Sequence, residues 1–90
     1  MKYVLFYEID PDVLAVKAPE LLPAHRAWWA EYRAAGTLLL VGPFTDRSGA
    51  LGVFTTRAAA EEYAIGDPFV RNGVVRNWYI REWLEAIATP

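Results

Sequence analysis

Cysteine is absent from this 90-residue chain, histidine occurs once, at position 25, and serine occurs once, at position 48. The lack of cysteine excludes disulfides, thiolate metal sites and thiol nucleophiles. One histidine among scattered acids gives no recognisable set of metal ligands, and Ser48 is not in a nucleophile-elbow pattern. Of the side chains whose ordinary pKa permits proton exchange near neutral pH, only His25 remains.

Long apolar runs are also absent. No segment approaches the roughly 20 apolar residues that span a bilayer, so we expect no membrane partner. The residues after Met1 and Lys2 have a strand pattern rather than that of a signal peptide, which makes the cytoplasm the expected location. With a net charge of −2, the chain is not expected to have a basic surface that binds phosphates, which argues against nucleic-acid binding.

Apolar and aromatic residues are abundant instead, at 54% and 14% of the chain. Ninety residues predict one domain, covering 1–90, because single cores form in units of roughly 50 to 250 residues. A chain this short buries only about 60% of its unfolded surface when it folds alone. The surplus of apolar side chains therefore predicts association into a homodimer.

Hydrophobic periodicity and turn residues divide the chain into alternating strands and helices. The predicted order is a strand over 2–9, a loop with a short helical turn over 13–19, a helix over 20–35 beginning close to Pro23, strands over 37–42 and 50–55, a helix over 56–65, a loop over 67–73, a strand over 74–84 and a tail over 85–90. This order is typical of an α+β, ferredoxin-like βαββαβ fold, an antiparallel sheet with two helices on one face.

Alternation along the outer strands places apolar residues on both faces of this sheet. In the first strand, Val4 and Phe6 point away from the predicted helices, and in the last strand Val75, Tyr79 and Trp83 do so. A face in contact with water would alternate with polar residues instead. Packing of two such sheets face to face, in a homodimer, would cover the second face.

The predicted topology brings His25 and Asp67 to the same end of the sheet, because the first helix begins where the second helix ends. A carboxylate beside an imidazole can orient the ring and stabilise its protonated form, which makes the pair an acid/base candidate. With His25 in the first or second turn, the helix dipole would disfavour imidazolium, and free backbone N–H groups could hold an oxyanion. The alternative is a core histidine bonded to a local carbonyl, with Asp67 an ordinary turn residue.

Several motifs resemble those of one family. They are Pro23-Ala24-His25 in the first helix, Gly36 before a leucine-rich strand, Gly42-Pro43 at its end, Gly66-Asp67-Pro68-Phe69 with Gly73 beyond it, and Ile80-Arg81-Glu82-Trp83 in the last strand. On these residues, which span nearly the whole chain, the sequence resembles the YciI-like (YCII-related) proteins of the dimeric α+β barrel superfamily.

The resemblance implies a ferredoxin-like protomer, a face-to-face dimer and a His–Asp active site, here His25 and Asp67. One activity type known in that family is the cofactor-free removal of chloride from a chlorinated hydroxyquinol, and related barrels include lactone isomerases and quinol-forming monooxygenases. Many members have an arginine three residues before the histidine, where this chain has Leu22. An acidic substrate group held by that arginine would need another partner here, Arg26 or Arg71.

Two functional hypotheses follow. In the first, the protein is a cofactor-independent lyase or isomerase for a small cyclic or aromatic compound. His25 is then the acid/base, Asp67 orients it, and Trp29, Phe69 and Arg26 bind the substrate. In the second, the same fold is a non-catalytic module that binds a metabolite or supports a partner protein.

Overall fold

The computed structural model describes residues 1–87, which form four strands and three helices. The elements are β1 (Lys2–Ile9), α1 (Pro11–Ala34), β2 (Leu38–Pro43), β3 (Gly49–Phe54), α2 (Arg57–Gly66), α3 (Pro68–Arg71) and β4 (Val75–Trp83). Every strand end lies within one residue of its predicted position. Of the predicted tail, residues 88–90 lie outside the described residues, and residues 85–87 form no helix or strand.

The four strands form one antiparallel sheet in the order β2-β3-β1-β4. This is the ferredoxin-like arrangement, in which each helix connects two strands that are not neighbours in the sheet. Helices α1 and α2 contact each other, and both contribute to one core with β1 and β3. The predicted α+β fold class is therefore confirmed, with the short helix α3 as an addition.

The first helix is much longer than predicted. The predicted loop over 13–19 is wrong, since α1 begins at Pro11, where Asp10 caps it by accepting hydrogen bonds from the N–H groups of Asp12 and Val13. The helix continues through Pro19 and Pro23, although proline removes a backbone donor and normally breaks a helix. Both prolines are exposed, so water can satisfy the carbonyls that they leave free.

Two smaller predictions are also corrected. Residues 68–71, predicted as loop, form the single helical turn α3. Asp67 caps this turn, and Pro68 occupies its first helical position. Val75 was predicted on the second face of the sheet, but it is buried in the core under the helices together with Val74. The pairing of β1 with β4 shifts between Glu8 and Ile9, so that Ile9 pairs with Val75 and the alternation changes there.

The helix-covered face of the sheet contains the tightest packing. Phe54, Ala60, Tyr63 and Ala64 have at most 1% of their surface exposed, and Tyr63 packs edge-on against Tyr32 at 5.2 Å. Thr56 caps the start of helix α2, where its side chain accepts a hydrogen bond from the Ala59 N–H. This aromatic cluster holds α2 on β1 and β3 and thereby fixes the position of the residue that follows α2, Asp67.

The opposite face of the sheet has no helix on it and is largely apolar. Phe6 of β1 stacks on Tyr79 of β4, with ring centroids 5.0 Å apart, and Leu40 of β2 is 67% exposed. Val4 and Val53 pair across β1 and β3 between them. No helix within residues 1–87 combines the length and apolar character needed to cross a bilayer.

Candidate functional site

A cavity of about 850 Å³ lies between α1 and the sheet, on the side where β2 forms the edge. Its walls are mainly apolar, from β1, β2, β3 and one face of α1. Such a concave, mostly apolar space with a few polar groups is typical of a small-molecule site. The polar side chains on its wall are those of His25, Arg26, Arg33, Arg47, Tyr7 and Tyr63.

His25 and Asp67 meet at this cavity, 42 residues apart in the chain. Nδ1 of His25 lies 2.8 Å from Oδ1 of Asp67, a short hydrogen bond between an imidazole and a carboxyl group. His25 retains 17% of its side-chain surface, whereas that of Asp67 is completely buried. The two side chains that the sequence predicted to converge are therefore in direct contact, with the imidazole on the cavity side.

The Asp67 carboxyl group accepts three hydrogen bonds. Oδ1 accepts from His25 Nδ1 and, at 3.0 Å, from the backbone N–H of Phe69, while Oδ2 accepts from the Tyr7 hydroxyl at 2.8 Å. A buried carboxylate is stable only when its oxygens are hydrogen-bonded in this way. The local sequence produces the arrangement, since Asp67 ends α2 and caps α3, so its side chain turns inward.

Tyr7 is the member of this network that sequence reasoning missed. Burial and the neighbouring Asp67 carboxyl raise the pKa of the Tyr7 hydroxyl well above its ordinary value, so it remains a donor. A signal for it was present: alternation in β1 put Tyr7 on the helix-covered face, and a buried tyrosine hydroxyl usually has a partner. Asp67, which follows the second predicted helix, was an available partner for this hydroxyl.

This network determines which nitrogen of His25 is free. An ionised carboxylate only accepts hydrogen bonds, so the short contact with Asp67 assigns a proton to Nδ1. In the neutral ring Nε2 is then an acceptor, and it is not used by any hydrogen bond within residues 1–87. The arrangement can deliver a base at Nε2 whose orientation is fixed from behind by Asp67.

Stacking fixes the plane of the imidazole as well. The ring of Phe69 lies parallel to that of His25, with centroids 4.0 Å apart and planes 3° apart. Phe69 follows Asp67 in α3, so the same turn supplies both the acid and the aromatic support. Phe69, Trp29 and Arg26, the predicted substrate-binding residues, all line the cavity. Arg71, the other predicted replacement for the family arginine, is not on its wall.

One part of the predicted mechanism is wrong. His25 lies in the middle of α1, about four turns from its start, rather than in the first or second turn. The helix dipole acts within the first turn, and the N–H groups there already bond to Asp10. Neither the dipole nor an oxyanion site at the start of α1 can therefore act on His25.

Close packing behind the site holds α1 against α2. The Trp28 indole donates a hydrogen bond from Nε1 to the Tyr63 carbonyl at 2.9 Å, and its ring lies directly against Gly66. A Cβ atom at Gly66 would be 2.7 Å from Cη2 of Trp28, so glycine is required for this approach. The contact sits three residues along α1 from His25 and one residue before Asp67, which sets their separation.

The fold is shared with a solved enzyme structure. That structure is 5-chloro-2-hydroxyhydroquinone dehydrochlorinase (TftG) from Burkholderia phenoliruptrix AC1100, in complex with 2,5-dihydroxybenzoquinone. The two chains agree with a TM-score of 0.77 and 18% sequence identity over 96% of each chain. At this identity the similarity establishes a common fold. No functionally curated protein matches the sequence significantly.

A family model provides the closer assignment. The model of the YCII-related domain matches residues 1–84, nearly the whole chain, and confirms the resemblance seen in the motifs. The match includes the segments that supply His25, Asp67 and Tyr7 to the site. The protein therefore belongs to the YCII-related domain family.

Proposed function

We propose that the protein is a cofactor-independent enzyme that transfers a proton on a small cyclic or aromatic compound, with His25 as the acid/base. The observation that supports this most strongly is the 2.8 Å bond between the buried Asp67 and His25 Nδ1, which leaves Nε2 free beside a cavity. Nδ1 contacts a carboxyl group rather than the local backbone carbonyl expected for a satisfied core histidine. The fully buried carboxylate also has a direct role here, since it stabilises imidazolium as it forms.

The chemical step is a proton transfer from substrate to Nε2. The base takes the proton from an acidic ring hydroxyl or ring carbon, and the electron pair released forms a new C=O or C=C bond. In an elimination, a leaving group such as chloride departs with its bonding electrons from the conjugate position. In an isomerisation, imidazolium returns the proton to another carbon. Asp67 supports both by compensating the positive charge while His25 is protonated.

The walls of the cavity suit a flat ring. Trp29 and Phe69 line the cavity together with His25, and Leu22 adds an apolar side chain to the same wall. Stacking and apolar contact would hold a ring near Nε2 without specifying its polar substituents. The related fold of a dehydrochlorinase that binds 2,5-dihydroxybenzoquinone makes hydroxylated and halogenated quinols the first compounds to test.

The central experiment compares His25→Asn with the unmodified protein on a panel of chlorinated hydroxyquinols and small lactones. The asparagine amide can still donate to Asp67 in place of Nδ1 but has no group in place of Nε2. We expect turnover to fall by about 10²–10⁴-fold while the fold is retained. Arg76→Gln, an exposed change on β4, is the matched control.

A folded His25→Asn protein that keeps its full rate would contradict the acid/base role. Tight binding of panel compounds by the unmodified protein without any turnover would instead favour the alternative, a non-catalytic module. Circular dichroism and thermal unfolding of each variant separate loss of chemistry from loss of fold.

The proposal includes a homodimer formed through the open face of the sheet, in the cytoplasm. Its support is the apolar character of that face, with Leu40 67% exposed, Trp83 50% exposed and the Phe6–Tyr79 stack uncovered. Sedimentation should give twice the mass of one chain at micromolar concentration, and Phe6→Glu should reduce it to one. Glu61→Gln, an exposed change on α2 and so on the other side of the sheet, should leave the dimer intact. A monomer in the unmodified protein, or recovery from the membrane or secreted fraction, would contradict this part.

A further inference from the structure

The charges on the cavity wall are all of one sign. Arg26, Arg33 and Arg47 line it, and no aspartate or glutamate does, although the chain has 11 acidic and nine basic residues. The excess of acid over base in the whole chain would predict the opposite. Arginines in a concave, partly apolar space produce a positive potential that is focused by the low-dielectric walls. The cavity is therefore electrostatically suited to an anion.

Two of these arginines belong to one stripe on α1. Leu22, Arg26, Trp29 and Arg33 follow each other at steps of four, three and four residues, and all four line the cavity. The Cα atoms of Arg26 and Arg33 are about 10 Å apart along the helix axis. Trp29 lies between them on the same face of α1, with Arg26 about one turn before it and Arg33 about one turn after it. One aromatic surface thus has a cation on each side.

Neither cation of this stripe is neutralised by the protein. Within residues 1–87, the ion pairs involve the N-terminus, Lys2, His25 and Arg57, and neither Arg26 nor Arg33 takes part in one. Arg57, by comparison, lies 3.4 Å from Glu82 on the other side of the molecule. The planar guanidinium is well matched to a carboxylate, which it binds through two parallel hydrogen bonds.

We propose that the ligand of this cavity is an organic anion, a cyclic compound that carries a carboxylate held by Arg26 and Arg33 across Trp29. The proposal rests on the function proposed above, in that the ring of the same compound is placed at Nε2 of His25. The size of the cavity, about 850 Å³, accommodates an acidic substituent beyond the ring. Binding energy from the carboxylate then positions the ring for proton transfer.

The test measures binding by calorimetry rather than turnover. The probes are 2,5-dihydroxybenzoate and 2,5-dihydroxybenzamide, which share ring and shape but differ in charge. We expect the carboxylate to bind at least about tenfold more tightly, since hydrogen bonds to charged groups are the stronger ones. The preference should shrink between about 20 mM and about 300 mM salt, where the Debye length falls from about 20 Å to about 6 Å.

Variants assign the preference to the stripe. Arg33→Gln and Arg26→Gln should each weaken the carboxylate about five- to tenfold and leave the amide unchanged. Arg71→Gln and Arg76→Gln, which change arginines off the cavity wall, should alter neither. Equal binding of the two probes, absence of carboxylate binding at millimolar concentration, or an equal loss in the control variants would overturn the proposal.

The same titration in His25→Asn separates this proposal from the enzymatic one. The charge preference should persist there, because the stripe is intact although the base is missing. Loss of turnover in His25→Asn together with equal binding of acid and amide would support the enzymatic proposal and contradict the proposal of an anionic ligand. A persistent preference together with undiminished turnover would do the reverse.

Discussion

The two halves of the helix-covered side differ sharply in packing. On the half formed by β1, β3, α2 and α3, Phe54, Tyr63 and Asp67 are almost completely buried. On the half formed by β2 and α1, Leu39 and Val41 are 47% and 40% exposed, and a cavity separates the helix from the strand. One sequence thus produces a dense half and an open half over a single sheet.

The candidate site lies on the boundary between these halves. Asp67 belongs to the dense half, where three hydrogen bonds fix its carboxyl group. His25 reaches it from α1 with one edge of the ring in the dense half and the other toward the cavity. The dense half therefore positions the acid/base pair, whereas the open half has space for a ligand. Substitutions in the dense half should therefore lower the free energy of unfolding more than substitutions in the open half.

Asp67→Ala should have the largest effect of the changes considered. It removes the acceptor of three hydrogen bonds and leaves the Tyr7 hydroxyl and the Phe69 N–H buried without a partner. We expect a loss of about 3–5 kcal/mol in the free energy of unfolding, measured by urea denaturation. A loss below about 1 kcal/mol would mean that the dense half relaxes and is less rigid than its packing indicates.

A pair of glycine substitutions compares the halves directly. Gly66→Ala places a Cβ against the Trp28 ring, and we expect a loss of about 2–3 kcal/mol despite the better helix propensity of alanine. Gly42→Ala, on the cavity wall in β2, meets nothing within 4 Å and should change stability by less than about 0.5 kcal/mol. Thermal unfolding of both variants measures the contrast. Equal losses would show that the open half is as tightly constrained as the dense one.

The sequence was sufficient to predict the fold class and the contact between His25 and Asp67. Both depend on long-range topology, which the order of strands and helices determines through the handedness of the crossovers. Turn residues also indicated the ends of α2, since Thr56 caps it as predicted and the helix ends at Gly66, one residue beyond the predicted end. The ends of α2 depend on local rules that the rest of the fold does not override.

The errors arose where tertiary context outweighed local preference. Pro19 and Pro23 indicated a late helix start, but their exposure to water makes the missing hydrogen bonds tolerable inside α1. Because α1 starts at Pro11, His25 lies in the middle of the helix, where the helix dipole does not act on its imidazole as expected. Alternation in β1 placed Tyr7 on the helix-covered face without giving its distance from Asp67, and Arg33 is an ordinary residue of α1. Only the folded chain brings one to Asp67 and the other to the cavity.

Tyr7→Phe and Tyr63→Phe compare two buried hydroxyls within the dense half. The Tyr7 hydroxyl donates to Asp67, so its removal should cost about 1–3 kcal/mol in urea denaturation. The Tyr63 hydroxyl is buried and, in the described part of the chain, has no hydrogen-bond partner. Its removal should be neutral or slightly stabilising. A cost for Tyr63→Phe equal to that of Tyr7→Phe would indicate that Tyr63 also supports the network.

The same two tyrosines predict how stability depends on alkaline pH. Burial is the main cause that raises the pKa of both hydroxyls, with the Asp67 charge next. Above about pH 10 the unfolded chain loses a proton from each tyrosine that the folded chain retains, so the free energy of unfolding falls as pH rises. Above pH 10 each tyrosine contributes about 1.4 kcal/mol per pH unit to that slope, whereas below pH 10 the stability that it contributes is fully present. Urea denaturation at about pH 9, 10 and 11 should therefore give Tyr7→Phe and Tyr63→Phe shallower slopes than the unmodified protein. Identical slopes in all three proteins would mean that the two hydroxyls ionise in the folded state, which the dense half should prevent.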